Sequence, residues 1–179
     1  MKSINSQSVT EKLNSVVKKI INFKIKLKTK PPSMKIDEAP DVDYEPVKIS
    51  SVGLTAPFGL EGVVILKADN GREFPISAFS GEVARYISNF LDEKRNSVPT
   101  IYNMVEQICE DTELLLVKVK LFDGGGALRA NLYFTGKKDL ILRNFRASDS
   151  IALATFYNVP ILIRKDLLKK SRGQLNIQV

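Results

Sequence analysis

With 179 residues, 20.0 kDa, 44% hydrophobic and 26% charged residues, the chain has the size and composition of one globular domain with a short appendage, which excludes wholesale disorder and two full domains. A single cysteine, Cys109, excludes an internal disulfide and a Cys-rich zinc cluster, and fits a reducing, cytoplasmic compartment. The absence of histidine removes Ser-His-Asp and Cys-His catalysis and His-ligated zinc, so any chemistry falls to carboxylates, hydroxyls, Lys or Arg. No apolar run approaches the roughly 20 residues of a membrane-spanning helix, and no signal peptide is expected.

The net charge of +7 is local. Residues 1–30 carry eight Lys against Glu11 alone, residues 31–46 are acidic, and residues 47–179 hold a net +4. The excess describes an arm rather than a domain-wide footprint for nucleic acid. Val9, Leu13, Val16, Val17, Ile20 and Ile21 recur at helical spacing with lysines on other faces, and Phe23, Ile25 and Leu27 then alternate as in a strand. Such an arm suits phosphates, anionic lipid or an acidic partner, or folds back with its lysines solvated. Lys-Thr-Lys-Pro-Pro and the acidic run to Pro46 read as a linker, giving an arm and linker over 1–46 and a domain over 47–179.

Strands are predicted at Val47–Leu54 and Gly62–Ala68, the second turning at Asn70-Gly71 into Arg72–Ser77. Pro75 places that returning strand at a sheet edge. Ser80 caps a helix with Val83, Ile87, Phe90 and Leu91 on one face, and Thr100 caps a second whose core stripe is Ile101, Met104, Val105 and Ile108. Leu115–Leu121 and Leu128–Phe134 form a hairpin around Gly124-Gly125-Gly126, glycines that lack the phosphate-loop spacing and read as a turn. A strand at Leu140–Phe145 leads to a cap at Ser148, a short helix to Tyr157, a buried strand at Ile161–Ile163, and a terminal turn that Asp166 caps. The expected class is α+β: a mixed, largely antiparallel twisted sheet with three or so helices packed on it, preceded by the basic arm. Cys109 reads as an inert core thiol.

Arg146-Ala147-Ser148-Asp149-Ser150-Ile151-Ala152-Leu153-Ala154 joins a strand end to a helix start. Residue chemistry leaves two readings open: a cap with an acid complementing the helix dipole, or a cluster in which Arg146 binds phosphate and Asp149 holds a metal.

That segment resembles the Arg-Pro-Ser-Asp-Ala-Ile-Ala-Leu-Ala signature of the bifunctional nuclease domain family. Phe74-Pro75-Ile76 with Ser80-Gly81-Glu82-Val83-Ala84, and Asn158-Val159-Pro160-Ile161, resemble further segments of that family in the same order, so the likeness covers about residues 47–170. The resemblance implies an α+β domain, often oligomeric, in a family named for members that degrade RNA and DNA. It implies Glu82 and Asp149 as ligands of Mg²⁺ or Mn²⁺, Arg146 on phosphate charge, and Ser148 orienting Asp149 or the substrate. Three positions depart from the pattern: Tyr102-Asn103 stands for His-Asp, Asn144 for an Asp, and Ala147 for a Pro. The alternative, favoured by the missing histidine, is a catalytically silent oligomeric binding or regulatory module of the same fold.

Overall fold

The structure is a computed structural model that describes residues 41–55, 57–94 and 98–170. The helix read at Val9–Ile21 and the strand read at Phe23–Leu27 lie outside the described residues. Strands β1 (Tyr44–Leu54), β2 (Glu61–Ala68) and β3 (Glu73–Ser80) form an antiparallel meander that runs directly into helix α1 (Gly81–Leu91). After α2 (Ile101–Asp111), strands β4 (Leu115–Asp123), β5 (Leu128–Thr135) and β6 (Leu140–Arg146) form a second meander that runs into α3 (Ala147–Tyr157). Strand β7 (Ile161–Arg164) and the short helix α4 (Lys165–Lys170) follow.

The seven strands make one sheet in the order β3-β2-β1-β7-β4-β5-β6, with β3, which carries Pro75, at an edge as expected. β7 joins the two meanders, antiparallel to β1 and parallel to β4. The mixed, mostly antiparallel α+β class therefore stands. The parallel partner of β7 is β4 rather than β6, the strand before its crossover helix, because β6 occupies the far edge. Each of the four hairpin pairings carries a register shift of the kind that strengthens sheet twist.

Alternation explains the core: Gly62, Val64, Leu66 and Ala68 on β2 and Phe74 and Ile76 on β3 are buried between polar or half-buried neighbours. α3 is buried almost all round, and its Ala147, Ala152 and Ala154 let it lie close to the sheet and to α1. α2 departs from expectation. Its inward residues are Tyr102 and Cys109, whereas Ile101, Met104 and Ile108 are 57%, 52% and 52% exposed. Of the expected stripe Ile101, Met104, Val105 and Ile108, only the half-buried Val105 packs against the core, because the helix is rotated so that Tyr102 enters it.

Two turns show their chemistry. In the β4–β5 turn the Asp123 carboxylate accepts from the Gly125 and Gly126 N–H groups, at 3.0 and 2.9 Å, and both glycines have positive φ. The β2–β3 connection forms where Asn70-Gly71 predicts it, but only Gly71 takes positive φ, so the turn closes from Gly71 N–H to Ala68 C=O at 2.9 Å.

The acidic residues read as the end of a linker contact the sheet. Glu45 accepts from Arg72 at 2.7 Å, and β1 begins at Tyr44, three residues earlier than expected, because Tyr44–Val47 pair with β7. Asp41 accepts from Lys118 at 3.0 Å and from Lys120, whose side chain is 6% exposed and whose ammonium also faces the Tyr44 and Tyr133 rings. Burial alone would raise the Asp41 carboxyl, but the hydrogen bonds and charges of Lys120 and Lys118 hold it below its ordinary value.

Two predictions follow from this packing. Ile163→Ala, at a fully buried position of the central strand, should cost about 2–4 kcal/mol in urea unfolding while the transition stays single, since both meanders share β7. A separate melting of the two halves would contradict that role. Asp41→Asn should cost about 2–3 kcal/mol at neutral pH, less than the 3–5 for a wholly buried pair because the aromatic rings still face Lys120. Because the folded carboxyl titrates below its unfolded value, the pair's contribution is present above the model-peptide range and disappears as pH falls through the lowered value. Melting curves from pH 7 downward should therefore show a weaker acid dependence in the variant.

Candidate active site at the first turns of two helices

Both meanders deliver a carboxylate into the first turn of the helix that follows. Glu82 is the second residue of α1, whose N-terminus is closed by Ser80: its hydroxyl accepts from Val83 N–H at 3.3 Å. Glu82 also accepts from the Tyr86 hydroxyl one turn on, at 3.3 Å. Gly81 is required by close approach, since a Cβ there would lie 1.7 Å from the Gly59 carbonyl oxygen. The Gly81 N–H donates to Leu60 C=O at 2.7 Å, which ties the β1–β2 loop to the start of α1.

Asp149 lies in the first turn of α3, half-exposed, with its carboxylate 3.9 Å from the similarly exposed Arg146 guanidinium. An exposed contact of that length contributes at most about 1 kcal/mol, so it leaves both groups available. Ser148 is not the cap. The helix begins two residues earlier than a Ser148 cap would set it, Arg146 occupies the cap position without a side-chain cap bond, and Ser150 donates its hydroxyl back to Arg146 C=O at 2.8 Å. Ser148 is fully buried, and its hydroxyl finds no hydrogen-bond partner among the described residues. The first-turn N–H groups of α3 consequently receive no side-chain acceptor from the cap position, and a helix start of this kind favours anions.

Tyr102 packs between the helices that carry the two carboxylates. Its ring meets Tyr86 edge-on at 5.4 Å, Phe90 at 5.1 Å and Phe156 at 6.0 Å, so it fills the space between α1, α2 and α3. Burial pushes its phenol well above the usual range, and the nearby charges of Asp149 and then Glu82 push it further the same way. Carboxylates from opposite halves of the chain thus act on one hydroxyl. A phenol in that state stays protonated at neutral pH and can donate a hydrogen bond but cannot serve as a base.

The other positions named from the sequence have structural accounts. Asn103 accepts from the Thr100 N–H at 2.9 Å and hydroxyl at 3.0 Å, so its carbonyl oxygen is engaged in closing α2. Asn144 sits at φ 63°, a left-handed conformation that Asn and Asp tolerate better than most residues. Ala147 occupies the first helical position of α3, the one place where proline fits a helix without losing a bond. Cys109 is buried, as expected. Tyr86 went unnoticed in the sequence, although its spacing of four from Glu82 on a helix was available as a signal.

The profile of the bifunctional nuclease domain matches residues 64–176, most of the chain and both carboxylate-bearing helices. The chain belongs to the bifunctional nuclease domain family. No curated protein matches it significantly. Membership points to a nuclease-like or nucleic-acid-binding function. Among the described residues no helix is long and apolar enough to cross a membrane.

The donor set bears on a metal. Among the described residues no three His, Cys, Asp or Glu side chains group together, so a dedicated protein cage is lacking. Two carboxylates on helix starts suit Mg²⁺ or Mn²⁺, hard ions that take one or two carboxylates and complete their shell with water and phosphate oxygens. A groove of about 920 Å³ opens instead at the last turns of α1 and α3, beside Phe90, Leu91, Thr155 and Val159. Along the helix axes Phe90 lies eight residues, about 12 Å, from Glu82, and Thr155 six residues, about 9 Å, from Asp149.

Gly81→Ala tests the tie between the loop and α1. The added methyl meets backbone, not a flexible side-chain end, so the loop or the helix start must move. Thermal unfolding should report a loss of about 2–3 kcal/mol. A neutral result would mean that the close approach of Gly59 to Gly81 is not a constraint.

Proposed function

We propose that the chain binds RNA or DNA across the first turns of α1 and α3 and hydrolyses its phosphodiester bonds there. The observation that carries this reading is that Tyr102 packs against both carboxylate-bearing helices, against Tyr86 and Phe90 of α1 and Phe156 of α3, with the charges of Asp149 and Glu82 both raising its phenol. The start of α3, which has no side-chain cap bond and is flanked by the exposed Arg146, supplies attraction for a phosphate through the helix dipole and a guanidinium able to bind two oxygens.

In this reading Glu82 and Asp149 hold Mg²⁺ or Mn²⁺, which when bound activates water and neutralises phosphate charge. Arg146 exchanges its long contact with Asp149 for phosphate oxygens. Tyr102 keeps its proton, and its ring holds α1 and α3 at a fixed separation. Ser148, buried beneath Asp149's turn, acts as a positioning residue for that turn and not as a group that meets substrate. Self-association belongs to the same reading, with the exposed stripe Ile101, Met104 and Ile108 as apolar surface for a second copy. A cytoplasmic setting and an acidic partner for the basic arm remain expectations of the sequence.

A second reading, a nucleic-acid-binding module without hydrolysis, draws on one observation. Tyr102 and Asn103 stand where the family has His-Asp, and both are committed to packing or to capping. Assays of wild type, Asp149→Asn and Glu82→Gln on RNA and single-stranded DNA, with Mg²⁺, Mn²⁺ or EDTA, separate the two. Hydrolysis predicts a fall of at least about 100-fold in either variant and in EDTA, with stability changed by about 1 kcal/mol or less. Equal activity in all three proteins would mark a contaminating nuclease. No cleavage under any metal, with binding retained, would leave the module reading in its place.

A further inference from the structure

We infer that Phe58 is a stacking platform for an unpaired base of a single-stranded RNA or DNA bound at the Glu82 end of the site, an inference that rests on the nucleic-acid reading above. Phe58 is 94% exposed, more than any other large hydrophobic side chain among the described residues. Its backbone sits at φ 63° and ψ 11°, the left-handed region that bulky residues avoid. An aromatic ring that buries nothing, held by a backbone that a glycine would adopt without strain, contributes nothing evident to the fold.

The loop that carries the ring is anchored. Gly59 C=O crosses Gly81 so closely that no Cβ fits, Leu60 C=O accepts from Gly81 N–H at 2.7 Å, and Arg85 reaches Gly59 C=O at 3.4 Å. Phe58 is one residue from that crossing, and Glu82 is one residue from it on the other side. With 3.8 Å between consecutive Cα atoms, the two lie within about 13 Å. That span is about four nucleotides or fewer at the 3.4 Å rise of a stacked strand. Leu60, 70% exposed, adds apolar surface two residues on, and the exposed Arg85, which donates to the Gly59 C=O, places a cation at the neighbouring residue of the loop. A flat exposed ring with a guanidinium at the neighbouring residue, close to a phosphate-directed site, is the combination that binds single strands without reading sequence. A paired base in a duplex cannot present its face to such a ring, so the inference specifies unpaired nucleic acid.

The chain contains no tryptophan, so Phe58→Trp in the full-length protein creates a single indole reporter. Titration with oligothymidylate should quench its fluorescence, whereas an abasic strand of the same phosphate number should not. Phe58→Ala and Phe58→Gly should weaken oligothymidylate binding at least about five-fold. Phe58→Gly should at the same time raise the melting temperature, because glycine accepts this backbone freely. Loss of binding in a stabilised protein cannot be ascribed to misfolding. The inference is overturned if wild type and Phe58→Gly bind equally, if the abasic strand quenches as strongly, or if sedimentation shows that Phe58→Ala dissociates an oligomer, which would assign the ring to a second copy. Failure of the wild-type protein to bind any oligonucleotide would overturn the nucleic-acid reading together with this one.

Discussion

A four-residue strand holds the molecule together. β7 lies between β1 and β4, so its backbone N–H and C=O groups must be satisfied on both sides, and each meander closes one of its edges by pairing with it. Without β7 the chain would present two three-stranded sheets with open inner edges, a form prone to wrong pairing. The parallel bond to β4 demands a long crossover, and that crossover consists of β5, β6 and α3. Placing β7 in the middle therefore draws α3 back over the sheet and lays it against α1. The candidate site is a consequence of this constraint, because neither helix start by itself brings Glu82 and Asp149 to a common neighbour.

Around that junction the electrostatics are arranged by packing. Aromatic rings from α1, α2 and α3 exclude water near Tyr102, which strengthens the effect of the two carboxylates on its phenol. A histidine at this position could exchange protons near neutral pH, and a buried tyrosine cannot. In the proposed function, chemistry at a phosphodiester bond rests on the two carboxylates and Arg146. The pairing of Asp41 with Lys120 is structural: it fastens residues before β1 to β4, beside the rings of Tyr44 and Tyr133.

Local chemistry determined a large share of the architecture. Alternation located all seven strands to within a few residues, Ser80 and Thr100 marked two helix starts, Pro75 marked an edge, and glycines marked two turns, because each depends on neighbours a few residues away. The Arg146–Ala154 segment, with Phe74–Ile76, Ser80–Ala84 and Asn158–Ile161, carried the resemblance to the family that the profile match bears out. Four features needed the tertiary structure. Ser148 reads as a cap because Ser caps helices, but the helix starts two residues earlier, at Ala147, and Ser148 is buried. The face that α2 turns inward depends on which side chain fits the gap between α1 and α3, and periodicity alone cannot choose between two apolar stripes. The partner of β7 is set by which strand edge remains open after the meanders form, a contact between residues far apart in the chain. The shared environment of Glu82, Tyr102 and Asp149 arises only when three helices meet, since desolvation and charge proximity are properties of space and not of spacing.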